Sequence, residues 1–237
     1  MGWGWSLNLR IQVYVKPFRD YDTMKIFALL SPTWALADFT KRRFDRTKTI
    51  KILNSVYLAA SVIGTIIIVV AQYLDNELVR TGLYKSLPLL GVISWFAFLM
   101  SRNNEIFWAF LKDAFDKMDS GETERQKKEE PKAPSNLTPK DRIVLSLKSY
   151  LELVLNFSII YALLDKSLWN SDLPLSMTDF IYYSGVTITT TGYGDVTPKH
   201  WLPQFLSVYE VFCGVILLVV CFAIYAGRLN HREVSQQ

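Results

Sequence analysis

Apolar residues in this chain gather into runs of membrane-spanning length, with polar segments between the runs rather than interleaved with them. The run Ile52 to Leu74 carries no charge, and about 20 mostly apolar residues suffice to cross a hydrocarbon core as a helix. A second span is expected from about Leu83 to Ser101, with Lys85 near its start and Pro88 in its first turns, where a helix tolerates proline best. Beyond Arg102, the recurrence of Ile106, Phe107, Phe110, Leu111, Ala114 and Phe115 at helical spacing predicts an amphipathic continuation leaving the membrane. A third span is expected at about Leu147 to Leu164, with Glu152 as its one internal charge, and a fourth from about Pro203 to Gly227. The pattern therefore predicts an all-α membrane protein with four transmembrane helices per chain.

The stretch Asp116 to Asp141 has three prolines, dense charge and no apolar periodicity, which marks a linker. Five segments follow: residues 1–49, an N-terminal cytoplasmic or interfacial segment; 50–115, two accessory transmembrane helices; 116–141, the charged linker; 142–228, an outer helix, a re-entrant segment and an inner helix; and 229–237, a short tail. Within the first, Tyr21 to Phe44 reads as an interfacial helix, with Met24, Phe27, Ala28, Leu30 and Trp34 ahead of the lipid-attracting Lys41, Arg42 and Arg43. A cytoplasmic segment packed on neighbouring subunits is the alternative. Met1 to Asp20 lacks the pattern of a removable signal peptide.

Charge then orients the spans. Arg42, Arg43, Arg46, Lys48 and Lys51 precede the first; Arg102, Lys112 and Lys117 follow the second; Lys140, Arg142 and Lys148 precede the third; Arg228 and Arg232 follow the fourth. With four spans all these clusters share one side, which the positive-inside rule makes cytoplasmic, and both termini are expected there in a cell membrane. Overall the chain is 50% hydrophobic with a net charge of +4 scattered among apolar runs, a poor nucleic-acid surface. Cys213 and Cys221 are eight residues apart, about 12 Å along a helix, too far to pair within it. They read as small packing residues. His200 and His231 stand alone, without a nucleophile or metal-ligand companion, so no enzyme is indicated.

Between the third and fourth spans, Ser176 and Asp179 have the spacing of a capping box, with Pro174 just ahead, and predict a helix from about Met177 to Ile188. A helix that short can only dip into a bilayer and return, and the nonhelical backbone after it is tolerated only against protein or water. The segment that follows, Thr189-Thr190-Thr191-Gly192-Tyr193-Gly194-Asp195, resembles the selectivity filter of potassium channels. A dehydrated potassium ion must be recoordinated by oxygens, which four identical strands supply as successive carbonyls facing an axis. Glycines permit the dihedrals that this requires.

The resemblance, covering about Leu147 to Gly227, implies a potassium-selective channel whose ion sites are the carbonyls of Thr190, Thr191, Gly192 and Tyr193 and the Thr190 hydroxyl, with Gly194 closing the filter. It implies K+ as the ligand, no organic cofactor, a homotetramer with a single central pore, and membrane lipids as surroundings. Tyr193 would point away from the axis against Tyr182 and Tyr183. Thr191 replaces the family's usual valine or isoleucine, adding a hydroxyl that needs a partner. Val186 stands where some members have a glutamate bonded to the aspartate after the filter, so Asp195 needs another partner, such as Tyr183, and inactivation would differ. A nonselective cation channel and a nonconducting membrane sensor or scaffold are the alternatives.

The inner-helix sequence from Trp201 resembles that of prokaryotic two-helix ion channels, with Glu210 four residues before Gly214 on one face. Gly214 reads equally as a gating hinge or as a site of close helix packing. Glu210 is expected to hydrogen-bond the back of the filter or its helix, with a direct ion site as the alternative. Leu218, Phe222, Tyr225 and Ala226 are the expected cavity and gate residues. Neither accessory span has arginine at every third position, so voltage sensing by that route is not expected. The ten residues after Gly227 leave no room in this sequence for a C-terminal ligand-binding domain.

Overall fold

The computed structural model describes residues 31–74, 87–119, 137–170 and 174–234. The early part of the expected interfacial helix (Met24, Phe27, Ala28, Leu30), residues 75–86 with the start of the expected second span, most of the charged linker and residues 235–237 lie outside them. The described elements are α1 (Pro32–Arg43), α2 (Arg46–Leu74), α3 (Leu89–Asp119), α4 (Pro139–Leu163), a 3-10 turn (Lys166–Leu168), β1 (Trp169–Asn170), α5 (Met177–Ile188), β2 (Thr197–Pro198) and α6 (Trp201–Val234).

Three helices among the described residues are long and apolar enough to cross a membrane: Arg46–Leu74, Lys140–Leu163 and Trp201–Val219. On the expected second span, α3 runs unbroken for 31 residues from Leu89 to Asp119, and Arg102, Asn103, Asn104 and Glu105 follow its apolar run. Arg102, just past that run, is not left to solvent. It is buried against Glu152, near the midpoint of the 25-residue α4, through Nε–Oε1 at 2.6 Å and Nη2–Oε2 at 3.0 Å. Its third nitrogen reaches Glu105 at 2.9 Å, and the Tyr57 ring lies 4.2 Å from its guanidinium carbon. A charge removed from water must be paired or neutralised, and this pairing explains how Glu152 can sit inside an apolar helix.

α4 is the hub of the bundle: Leu153, Phe157, Ile159, Ile160 and Tyr161 are buried on it. α2 packs along it by a polar row. Asn54 donates to Ser149 at 2.9 Å, and Ser61 donates to Asn156 at 2.6 Å. Asn156 in turn donates to Asn103 of α3 at 2.9 Å. Inside a bilayer such bonds hold helices together where apolar burial cannot, because lipid is as apolar as the side chains. At one end Lys51 pairs with Asp141 at 2.8 Å.

α1 begins with Ser31 and Pro32, an N-cap residue followed by proline at the position where a missing N–H costs nothing. Ser31 and Thr33 bond Ser101 of α3 at 2.8–3.4 Å, and Ala37 is fully buried. The described part of the N-terminal segment therefore packs on this chain's own accessory helix. Burial pushes the Lys41 ammonium down from its usual range, and the nearby Glu105 carboxylate opposes that shift.

Candidate functional site

α5 is 12 residues, about 18 Å long, and cannot cross a bilayer. Its entry is set by the capping box: the Asp179 carboxylate accepts from Ser176 N at 2.7 Å and Ser176 Oγ at 2.6 Å. On the buried side, Trp169, Phe180, Tyr183 and Tyr161 form an edge-packed cluster with ring centroids 5.0–5.3 Å apart. β1 holds Trp169 in place by pairing with β2 just beyond the filter sequence, Trp169 opposite Pro198, and Lys199 N donates to Leu168 O at 2.8 Å. The chain entering α5 and the chain leaving the loop are thus tied together. Lys166, beside this junction, has its ammonium pushed down by burial and drawn back up by Asp179.

The loop after α5 has an alternating backbone. Thr190, Gly192 and Gly194 have φ of +59°, +54° and +82°, whereas Thr191 and Tyr193 between them do not lie in the left-handed region. Alternating handedness turns successive N–H groups to one side and successive carbonyls to the other. The N–H groups of Thr190, Thr191 and Gly192 are satisfied by carbonyls at the end of α5: Thr190 by Thr187 at 2.9 Å, and Thr191 and Gly192 by Val186 at 2.9 and 3.1 Å. No backbone hydrogen bond among the described residues is accepted by the carbonyls of Thr190, Thr191, Gly192 or Tyr193. A β-branched residue with positive φ, as at Thr190, is strained by about 1–2 kcal/mol, and such strain gathers at functional sites.

The side chains around the loop divide as follows. Tyr193 stacks on Tyr182 with centroids 6.3 Å apart and planes 5° from parallel. The Tyr183 hydroxyl meets Ser207 of α6 at 2.7 Å. Asp195 bonds the Tyr182 hydroxyl, not Tyr183, because Tyr183 faces inward to the aromatic cluster and Tyr182 faces the loop. The Thr191 hydroxyl finds the Thr189 hydroxyl at 3.0 Å. Val186 contributes its carbonyl, which receives two of the loop's N–H groups.

Glu210 is fully buried on α6, where its carboxylate accepts from Tyr161 Oη of α4 at 2.7 Å and from Ser184 Oγ of α5. Ser184 also lies 2.9 Å from Val154 O of α4. One carboxylate thus joins outer, short and inner helices behind the loop. It is enclosed by protein, as a supporting hydrogen-bond acceptor would be. Gly214, one turn on, abuts the last residue of α5: a Cβ there would lie 2.6 Å from Ile188 Cγ1 and 3.1 Å from Ile188 O. Close packing accounts for this glycine, and α6 runs through it as continuous helix. Leu218 is 52% exposed. Phe222, Tyr225 and Ala226 lie on α6, with their side chains outside the described set.

α6 has two faces. Leu206, Glu210, Cys213 and Leu217 are buried against this chain, whereas Trp201, Phe205, Val208, Phe212, Val215 and Val219 form an exposed apolar stripe. Residues 189–195 are exposed as well. Sequence reasoning did not find Ser184, Tyr161, Ile188 or Gln72. The Gln72 Oε1 accepts from Met177 N, the first amide of α5, at 2.8 Å. The available signal was the spacing of Asn54, Ser61, Thr65 and Gln72, all buried on one face of an apolar helix.

Two long helices joined by a helix too short to cross a bilayer, followed by a loop whose carbonyls at 190–193 accept no backbone hydrogen bond among the described residues, make up this part of the chain. Residues 149–230 match the family model described as ion channel. Over 46 residues the chain is 46% identical to "Probable potassium channel protein 2" of Methanocaldococcus jannaschii, a match covering 19% of this chain. The match spans only 13% of that relative's length. No solved structure matches the chain at a significant level.

Proposed function

We propose that this chain is one subunit of a homotetrameric potassium channel that conducts K+ passively through a filter formed by Thr190 to Gly194. The carbonyls of Thr190, Thr191, Gly192 and Tyr193 and the Thr190 hydroxyl replace the ion's water. The observation that carries this reading is the alternation of left-handed φ at residues 190, 192 and 194 while the N–H groups of Thr190, Thr191 and Gly192 are held by carbonyls of α5. That arrangement leaves the carbonyls as the groups free to meet a cation.

Supporting it, the filter begins at the C-terminus of α5, the negative end of a helix dipole, which favours a cation on the axis below. One chain supplies a single filter strand, and K+ coordination by carbonyl rings takes four. The exposed apolar stripe of α6 and the exposed loop are the surfaces that neighbouring copies would cover. With α3 as a fourth span, the basic flanks Arg46, Lys48 and Lys51 at the start of α2 and Lys140, Arg142 and Lys148 in α4 support an orientation with both termini on the cytoplasmic side of a cell membrane, with lipid around the accessory helices. Passive conduction calls for neither a catalysed reaction nor an organic cofactor.

The test is single-channel recording of the purified chain in bilayers under opposed K+ and Na+ gradients. The reversal potential should follow K+. Tracking Na+ equally would make it a nonselective pore, and absence of any current would favour a nonconducting scaffold.

A further inference from the structure

We infer that Gln72, on an accessory helix outside the pore module, is a positioning residue for the filter, acting by capping the pore helix α5. The inference goes beyond the reading of residues 190–194 as a filter and assigns part of that filter's support to the N-terminal half of the chain.

The first N–H groups of any helix have no partner within it. At the start of α5 the capping box engages Ser176 and Asp179, while the amide of Met177 is directed to Gln72 Oε1 at 2.8 Å. Met177 is 0% exposed and Gln72 6%, so solvent cannot substitute. A buried N–H without an acceptor is costly, and so is an unbonded glutamine in an apolar helix. Each therefore fixes the other. Gln72 is also the last rung of the row that clamps α2 to α4 through Asn54–Ser149 and Ser61–Asn156. The height of α5 is thus referred to the accessory bundle. At its other end α5 holds the amides of Thr190, Thr191 and Gly192 directly, so a shift of α5 along its axis is a shift of the carbonyl row.

The test uses the full-length chain and variants Gln72→Met, which keeps the length and loses the acceptor, and Gln72→Glu, which keeps an acceptor at a helix N-terminus. Hydrogen exchange should be roughly five- to tenfold faster in Gln72→Met, the factor for one lost buried bond, in peptides spanning 177–180 and also 189–195. Gln72→Glu should restore wild-type rates, and Gln72→Met should shorten conducting dwell times where wild type conducts. Met177→Pro supplies a control, since proline suits the first helical position and removes the amide itself. In that background Gln72→Met should have no added effect.

Unchanged exchange at 189–195 in Gln72→Met, or an equal added effect in the Met177→Pro background, overturns the inference. Should Gln72→Met fail to assemble, assembly of the double variant supports the inference and its failure overturns it. The wild-type reversal potential reports separately on the filter reading, because the exchange measurements do not depend on conduction.

Discussion

Replacing Gly214 with alanine separates two roles for the inner helix. A methyl added there would sit 2.6 Å from Ile188 Cγ1 and 3.1 Å from the Ile188 carbonyl, where carbon atoms ordinarily rest about 3.5–4.0 Å apart. The side chain could swing away, but the carbonyl is backbone at the end of α5, just ahead of the 189–195 loop, and can yield only by moving that loop. Overpacking of this kind costs about 1–3 kcal/mol, offset by about 1 kcal/mol of helix propensity gained on leaving glycine. The net is a loss of up to about 2 kcal/mol per chain. The measurement is the temperature at which the purified oligomer dissociates, taken beside single-channel open probability. Gly214→Ala should lower the dissociation temperature. Adding Ile188→Ala, which removes the nearer clashing atom, should cost at least about 1 kcal/mol less than the two single effects summed. An oligomer of unaltered stability with reduced opening would refute the packing argument and return Gly214 to the role of a hinge.

Two other substitutions probe the buried polar groups. Glu210→Ala leaves the Tyr161 and Ser184 hydroxyls without their acceptor and should destabilise the assembly by about 1–3 kcal/mol for each group stranded; Glu210→Gln, which keeps an acceptor oxygen, should lose less, as read by thermal dissociation, and equal losses would contradict the assignment. Arg102→Met strands the Glu152 carboxylate and should cost about 3–5 kcal/mol, of which Arg102→Met with Glu152→Met recovers most, measured by denaturant unfolding in detergent.

The features legible in the sequence are those decided within a few residues. The bounds of α5 followed from Ser176, Asp179 and Pro174, because a helix start is set by local donors and acceptors. The left-handed backbone at 192 and 194 was legible because glycine adopts it without steric cost whatever packs around it, whereas the same conformation at Thr190 was not. The long apolar runs of α2, α4 and α6 were legible because hydrocarbon demands a minimum length. The partner of Arg102 was not legible for the opposite reason: Glu152 lies 50 residues away on α4, and only the packed helices bring the two together. The same holds for Tyr182 and Tyr183, adjacent in sequence yet facing the loop and the core respectively. Gly214 was equally a hinge or a contact until Ile188 was seen beside it. Gln72 stood apart from the pore until the folded chain set it against Met177. Helix ends, turns and apolar lengths are local balances of hydrogen bonding and solvation that residue order fixes directly; which polar group answers which across helices depends on rotation and height, and those are set only when the whole bundle packs.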